Sequence, residues 1–105
     1  METIKAYIQD NFSDPTLSAN TICQKFRISP SYLCHIYKEC ENQNITYAIT
    51  RLRIEEATRL LTQTQIPVSD IALKVGYSDA HYFTKIFKKN KGVSPSDLRK
   101  VTQKW

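Results

Sequence analysis

Residues 71–89 read Ile71-Ala72-Leu73-Lys74-Val75-Gly76-Tyr77-Ser78-Asp79-Ala80-His81-Tyr82-Phe83-Thr84-Lys85-Ile86-Phe87-Lys88-Lys89. The stretch predicts two helices separated by a tight turn. Ile71, Ala72 and Val75 recur at helical spacing and face a core. Gly76 makes the turn, and Asp79 caps the helix that follows. In that second helix Tyr82-Phe83 and Ile86-Phe87 form a buried apolar stripe, and Gly92 ends it. Upstream, Pro67 precedes the first helix, with Ser69 expected as its N-cap. Downstream, Ser94-Pro95 opens a last short helix whose Leu98 and Val101 are expected to pack back.

The pattern occurs twice. Sliding the sequence by 50 residues lays Tyr32-Leu33 on Tyr82-Phe83 and Ile36-Tyr37-Lys38 on Ile86-Phe87-Lys88. Ser29 falls on Asp79, Asn42 on Gly92 and Asn44 on Ser94. The shared positions are structural ones, which makes the repeat a repeat of architecture. In the first copy Leu17, Thr21-Ile22 and Phe26 space a short helix with Ser18 as N-cap. Phe26-Arg27-Ile28 is the turn. Ser29 then caps a helix with Pro30 at its first position, where a missing N–H costs nothing. Tyr32-Leu33, Ile36-Tyr37 and Cys40 form its apolar stripe, and Asn42, which tolerates the left-handed conformation, ends it.

Between the copies Ile45, Ala48-Ile49, Leu52, Ala57 and Leu60-Leu61 hold helical period from Ile45 to about Thr62. Roughly 18 residues at about 1.5 Å rise span ~27 Å. The charged residues Arg51, Arg53, Glu55, Glu56 and Arg59 are expected largely off the apolar stripe. A first helix from Glu2 to Phe12, with Ile4, Ala6-Tyr7-Ile8 and Phe12, packs on the first lobe. The predicted architecture is all-α, about seven helices, with no competing strand signal. Two helix-turn-helix subdomains, homeodomain-like three-helix lobes, are joined by one long linker helix. The whole of residues 1–105 forms one binding domain, with a first lobe at about 1–44, the linker helix at 45–63 and a second lobe at 64–105.

Composition agrees. A chain of 105 residues, 41% hydrophobic, supports a core but not a large one. No apolar run approaches the ~18 residues of a membrane span, and Met1 to Asp10 lacks a signal-peptide pattern. The chain reads as soluble and cytosolic, with no membrane partner. The net charge of +5 is unevenly placed. Residues 1–80 hold eight Lys/Arg against nine Asp/Glu, whereas residues 81–105 hold seven against the single Asp97. That segment suggests a polyanion partner; the plainer alternative is a solvated helix face and a basic tail.

Catalysis finds no support. There is no Gly-rich phosphate loop and no HExxH. Cys34 and His35 are sequence neighbours, so on a helix they point about 100° apart, and the only carboxylate near His81 is Asp79, which points elsewhere. Cys23, Cys34 and Cys40 form an odd set without a CxxC pair, which suggests neither a zinc site nor a disulfide framework. Reduced, buried or semi-buried thiols are expected, and no metal or cofactor is called for.

The stretch 71–89 with Gly92-Val93-Ser94-Pro95 resembles the signature of AraC/XylS-type transcription regulators. Ser29-Pro30-Ser31-Tyr32-Leu33 and Arg51-Leu52-Arg53-Ile54-Glu55-Glu56-Ala57 resemble the matching parts of the first lobe and linker helix. The likeness covers about Ile4 to Val101, with the elements in the family's order and spacing. It implies bacterial, sequence-specific binding of double-stranded DNA, each lobe placing its second helix in the major groove on successive turns of one DNA face. Such sites lie about 34 Å apart, and one chain then reads an asymmetric site. Asn42 stands where the family usually has Gly; Asn tolerates positive φ. Thr84-Lys85 stands where many members carry Ser-Arg, and lysine lacks the bidentate fork suited to guanine.

Packing claims Tyr32, Leu33, Ile36 and Tyr37 of the first reading helix and leaves Ser31, Cys34, His35 and Lys38 opposite, where the family contacts bases and phosphates. Ser31, Cys34 and His35 are assigned to base edges and Lys38 to a phosphate. Cys34, a weak donor, offers apolar contact to a thymine methyl. In the second reading helix His81 and Lys85 face guanine acceptors, Ala80 and Thr84 thymine methyls, and Lys88 and Lys89 phosphates. Backbone N–H groups near Ser31 and Ala80 also suit phosphates. Ser18, Ser69, Ser94 and Asp79 are read as caps. The second lobe is expected to supply most non-specific affinity and the first to add discrimination. Family members usually carry a separate sensing, dimerising or receiver domain; the chain is expected to be a C-terminal fragment of such a larger regulator, with RNA polymerase as a further partner if it activates. The competing reading is a helical protein-interaction module without DNA binding.

Overall fold

Positive backbone angles punctuate the chain at matching places in its two halves. In the computed structural model, which describes residues 2–102, Arg27 (φ 56), Asn42 (φ 55), Gly76 (φ 112) and Gly92 (φ 81) carry them. Each ends a helix. The order is α1 Glu2–Asn11, α2 Ala19–Phe26, α3 Pro30–Glu41, α4 Ile45–Gln63, α5 Val68–Val75, α6 Ala80–Lys91 and α7 Pro95–Thr102, with no strand among the described residues. Both helix-turn-helix turns close with the same bond, five residues back: Ile28 N–H donates to the Cys23 carbonyl (3.1 Å) and Tyr77 N–H to the Ala72 carbonyl (2.8 Å). This is the left-handed C-cap that satisfies orphan carbonyls at a helix end.

Side-chain caps begin most helices. Ser18 and Thr21 form a reciprocal capping box at α2. Ser29 Oγ accepts from Tyr32 N at 3.1 Å, Asn44 Oδ1 from Tyr47 N at 2.7 Å, Asp79 Oδ1 from His81 N at 2.9 Å, and Ser94 Oγ from Asp97 N at 3.1 Å. Helix α5 departs from the expectation. Its N-cap is Pro67, which makes no side-chain bond, and Ser69 lies one residue inside the helix. The extended backbone of Pro67 (ψ 147) turns directly into Val68, and the Pro67 carbonyl already accepts from Ile71 N, so Ser69 has no capping position to fill.

Two apolar clusters form the core, both built on α4. The N-terminal part of α4 gives Ile45, Ala48 and Ile49 to a cluster with Ile4, Ile8, Leu17, Ile22, Leu33 and Tyr37. Its C-terminal part gives Ile54, Ala57, Leu60 and Leu61 to a cluster with Ile71, Val75, Phe83 and Phe87. The molecule is accordingly elongated, 47 × 23 × 21 Å. Arg99 of α7 closes the end of α4: its guanidinium donates to the carbonyls of Leu61 (3.2 Å) and Thr64 (3.3 Å), and at 3.4 Å to that of Leu60, which also accepts from Thr64 N.

Several expected core residues lie outside. Tyr32 and Tyr82 are about half exposed, 55% and 54%, and Cys40 is exposed. Residues 32, 36 and 40 form one i, i+4 row at the edge of the apolar stripe. Only the middle member, Ile36, is partly covered, because Leu33 and Tyr37 already fill the space above α2 and α4. The same holds for Tyr82 beside Phe83 and Phe87. Of the cysteines only Cys23 is buried; Cys34 and Cys40 are exposed. Val101 is 65% exposed: Pro95, Leu98 and Arg99 occupy the side of α7 facing α4, and Val101 falls away from Arg99. Arg53, expected on the solvent side, is buried at 9% exposure.

Candidate nucleic-acid interface

The second helix of each unit presents one face to its core and another to solvent. On α3, Leu33 and Tyr37 point inward, and Ser31, Cys34, His35 and Lys38 are all exposed. Their spacing (i, i+3, i+4, i+7) places them on one face of the helix. On α6, Phe83 and Phe87 are fully buried, and His81, Lys85, Lys88 and Lys89 are exposed. Ala80 and Thr84 are half-buried at the edge, Ala80 packing on the second core. The Thr84 hydroxyl donates to the Ala80 carbonyl at 3.0 Å, which occupies its O–H and leaves the methyl and the oxygen lone pairs for contact. The structure thus brings the ten residues together as two groups, four on α3 and six on α6.

The charge asymmetry of the sequence becomes an asymmetry between these faces. Helix α3 carries Lys38 with Glu39 and Glu41, and Glu41 pairs with Lys5 of α1 at 3.2 Å. Helix α6 carries Lys85, Lys88, Lys89 and Lys91 and no acid, with three of them in its last turn. Among the described residues none of these four lysines is in an ion pair; the other pairs, Arg51–Glu55 and Arg59–Glu56, lie on α4. Four unneutralised ammonium groups within three turns of helix suit a surface that meets phosphate.

The structure adds residues that periodicity assigned elsewhere. Arg53 lies in the row Ile49–Arg53–Ala57, whose other members are core; an arginine in a buried i, i+4 row is the sequence signal that marks it. Its Nε donates to the Phe12 carbonyl at 2.7 Å and a terminal nitrogen to the Asp14 carbonyl at 3.0 Å. Its guanidinium carbon stands 5.2 Å from the centre of the Tyr77 ring, within cation–π range. Burial pushes the Tyr77 phenol above its ordinary pKa, and the nearby Arg53 charge offsets part of the rise. The phenol oxygen is buried with no well-formed hydrogen bond, although Arg53 and Thr50 lie close enough to offset part of the rise. Hydrogen bonds from Thr16 hold the Asp14 carboxyl below its ordinary value, with a smaller contribution from Arg53. Arg53 and Tyr77 form the floor of a groove of about 490 Å³ between the lobes, walled by Leu17, Ile49, Asp79 and Tyr82 among others. No described helix is long and apolar enough to cross a membrane, and no described group of three or more His, Cys, Asp or Glu is placed to hold a metal ion.

Comparison with known proteins places this geometry in a family. The helix-turn-helix domain family matches residues 22–101. The arabinose operon regulatory protein of Escherichia coli (strain K12) is 32% identical over 93 residues, covering 89% of this chain and 32% of that protein. The chain spans about a third of the length of the curated relatives it matches. The C-terminal domain of AraT, a response regulator from Geobacillus stearothermophilus, superposes with a TM-score of 0.92 at 35% identity, over 95% of this chain and 83% of that one. The DNA-binding domain of AdpA, a global transcriptional factor solved in complex with a target DNA, shares the fold at a TM-score of 0.90 and 16% identity, over 98% of this chain and 92% of that one. Two helix-turn-helix units on one shared helix, matched in sequence and in structure over nearly the whole chain, make it a DNA-binding domain of the AraC/XylS family of bacterial transcription regulators.

Proposed function

We propose that this domain reads a two-part site on double-stranded DNA, α3 in one major groove and α6 in the next on the same face. The observation that carries the reading is the pair of solvent faces, one on the second helix of each unit, each opposite a filled core. A 47 Å long axis is ample to span the ~34 Å between successive major grooves. In this reading Ser31, Cys34 and His35 meet base edges from α3, and Ala80, His81, Thr84 and Lys85 meet them from α6. Lys38, Lys88 and Lys89 meet phosphates. The α6 face, with four lysines and no acid, supplies most of the non-specific attraction. The AdpA domain, which shares the fold, was solved in complex with a target DNA, which supports DNA as the partner. The matched family is one of transcription regulators rather than enzymes, so the chain is assigned no catalysis and a place in the bacterial cytoplasm, where the DNA lies.

Binding selection from a random duplex library at two salt concentrations tests the proposal. The expected result is enrichment of two short motifs about ten base pairs apart, one per lobe. Absence of binding at low salt would sink the DNA reading and favour a protein-interaction module.

A further inference from the structure

We infer that Arg53 is a positioning residue that sets the phase between the two reading helices by latching the first lobe to the turn of the second. The inference rests on the two-lobe reading above. Reading two grooves with one chain gains affinity over a single groove only if the second helix arrives in register once the first is seated. Helix α4 fixes the distance between the lobes. It does so through two separate clusters, and the principal helix packing runs within each lobe or onto α4. Between the lobes lies the open groove, with Arg53 and Tyr77 at its floor.

Arg53 touches both sides of that groove. Towards the first lobe it donates to the carbonyls of Phe12 and Asp14, in the loop after α1. Towards the second it lies over the Tyr77 ring. The contact extends to the backbone of the turn itself. A Cβ on Gly76 would stand 2.7 Å from Arg53 Nε and 2.9 Å from the Phe12 oxygen, closer than real Cβ atoms come. The turn that sets the start of α6 is therefore pressed against first-lobe backbone through this guanidinium. The planar fork is what permits two carbonyls and a ring to be held at once, and a lysine ammonium lacks it. Arg53→Met keeps an apolar side chain in the same place and avoids the cost of burying a cation, at the expense of the donors to the Phe12 and Asp14 carbonyls, so it releases the latch and its folding is checked by melting.

The test uses the full chain, Arg53→Met, Arg53→Lys and Tyr77→Phe, with melting curves to confirm folding. Binding is read by fluorescence anisotropy on duplexes carrying both selected motifs at the preferred spacing, on duplexes with one or two base pairs added or removed, and on each single motif. Wild type is expected to favour one spacing over its neighbours by about tenfold, a partial loss of the gain that a linked second contact gives. Arg53→Met is expected to lose about tenfold on the preferred spacing, flatten the spacing profile and keep single-motif affinity within about twofold. Arg53→Lys falls between, and Tyr77→Phe, which keeps the ring under the guanidinium, flattens the spacing profile less than Arg53→Met. A folded Arg53→Met or Arg53→Lys with the wild-type spacing profile would overturn the latch. So would an equal fractional loss on single and double motifs, which marks a structural role alone. Wild-type protein that binds single and double motifs equally would instead overturn the two-lobe reading itself, and the latch with it.

Discussion

Replacing Lys88 and Lys89 together by glutamine measures how far the basic face of α6 meets phosphate. Both side chains are exposed and lie in the last turn of α6, where no described acid pairs with them. Glutamine keeps a long, helix-compatible side chain and removes only the charge. Each phosphate contact contributes about 0.9 to the slope of log affinity against log salt, so two contacts contribute about 1.8. Between about 50 and about 200 mM salt, a fourfold change, that slope amounts to about 1.1 log units. Wild type should therefore lose about twelvefold more affinity over this range than the double variant. Fluorescence anisotropy on a duplex without the selected motifs reads the slope directly, and Lys38→Gln on α3 should flatten it by about 0.9 alone. The double substitution also removes two cations from the negative end of the helix dipole, worth about 0.3–1 kcal/mol each, so a melting curve accompanies the titration. An unchanged slope in the folded double variant refutes the assignment of these lysines to phosphates.

The core and its punctuation make sharper demands on stability. Phe83→Ala, at a fully buried position, is expected to cost about 3–5 kcal/mol in urea unfolding. Its neighbour Tyr82→Ala, half exposed, should cost less than about 1 kcal/mol; equal losses would contradict the narrow stripe on α6. Gly92→Ala meets nothing within 4 Å and should show only the positive-φ penalty of about 1–2 kcal/mol. Gly76→Ala adds a collision with Arg53 and the Phe12 carbonyl, and should melt below Gly92→Ala; the reverse order would contradict the close approach at the turn.

The candidate contact faces were legible because a helix with a buried side has a defined opposite side. Leu33 and Tyr37 on α3, and Phe83 and Phe87 on α6, point inward as their spacing requires, which turns Ser31, Cys34, His35, Lys38, His81 and Lys85 outward. The width of the buried stripe was not legible. Whether Tyr32, Cys40, Tyr82 or Val101 is covered depends on how far the neighbouring helix reaches, and periodicity within one helix carries no information about its neighbour.

Local chemistry in the sequence determined the seven helices, the repeat and nearly every boundary. Capping side chains, a proline at a first turn and left-handed C-caps at Asn42, Gly76 and Gly92 act within a few residues of themselves. Tertiary structure decided the rest: two exposed cysteines, and above all the burial of Arg53. Its acceptors on Phe12 and Asp14 lie 41 and 39 residues away in the chain. A charged side chain enters a core only where such partners await it, and chain folding alone brings them there.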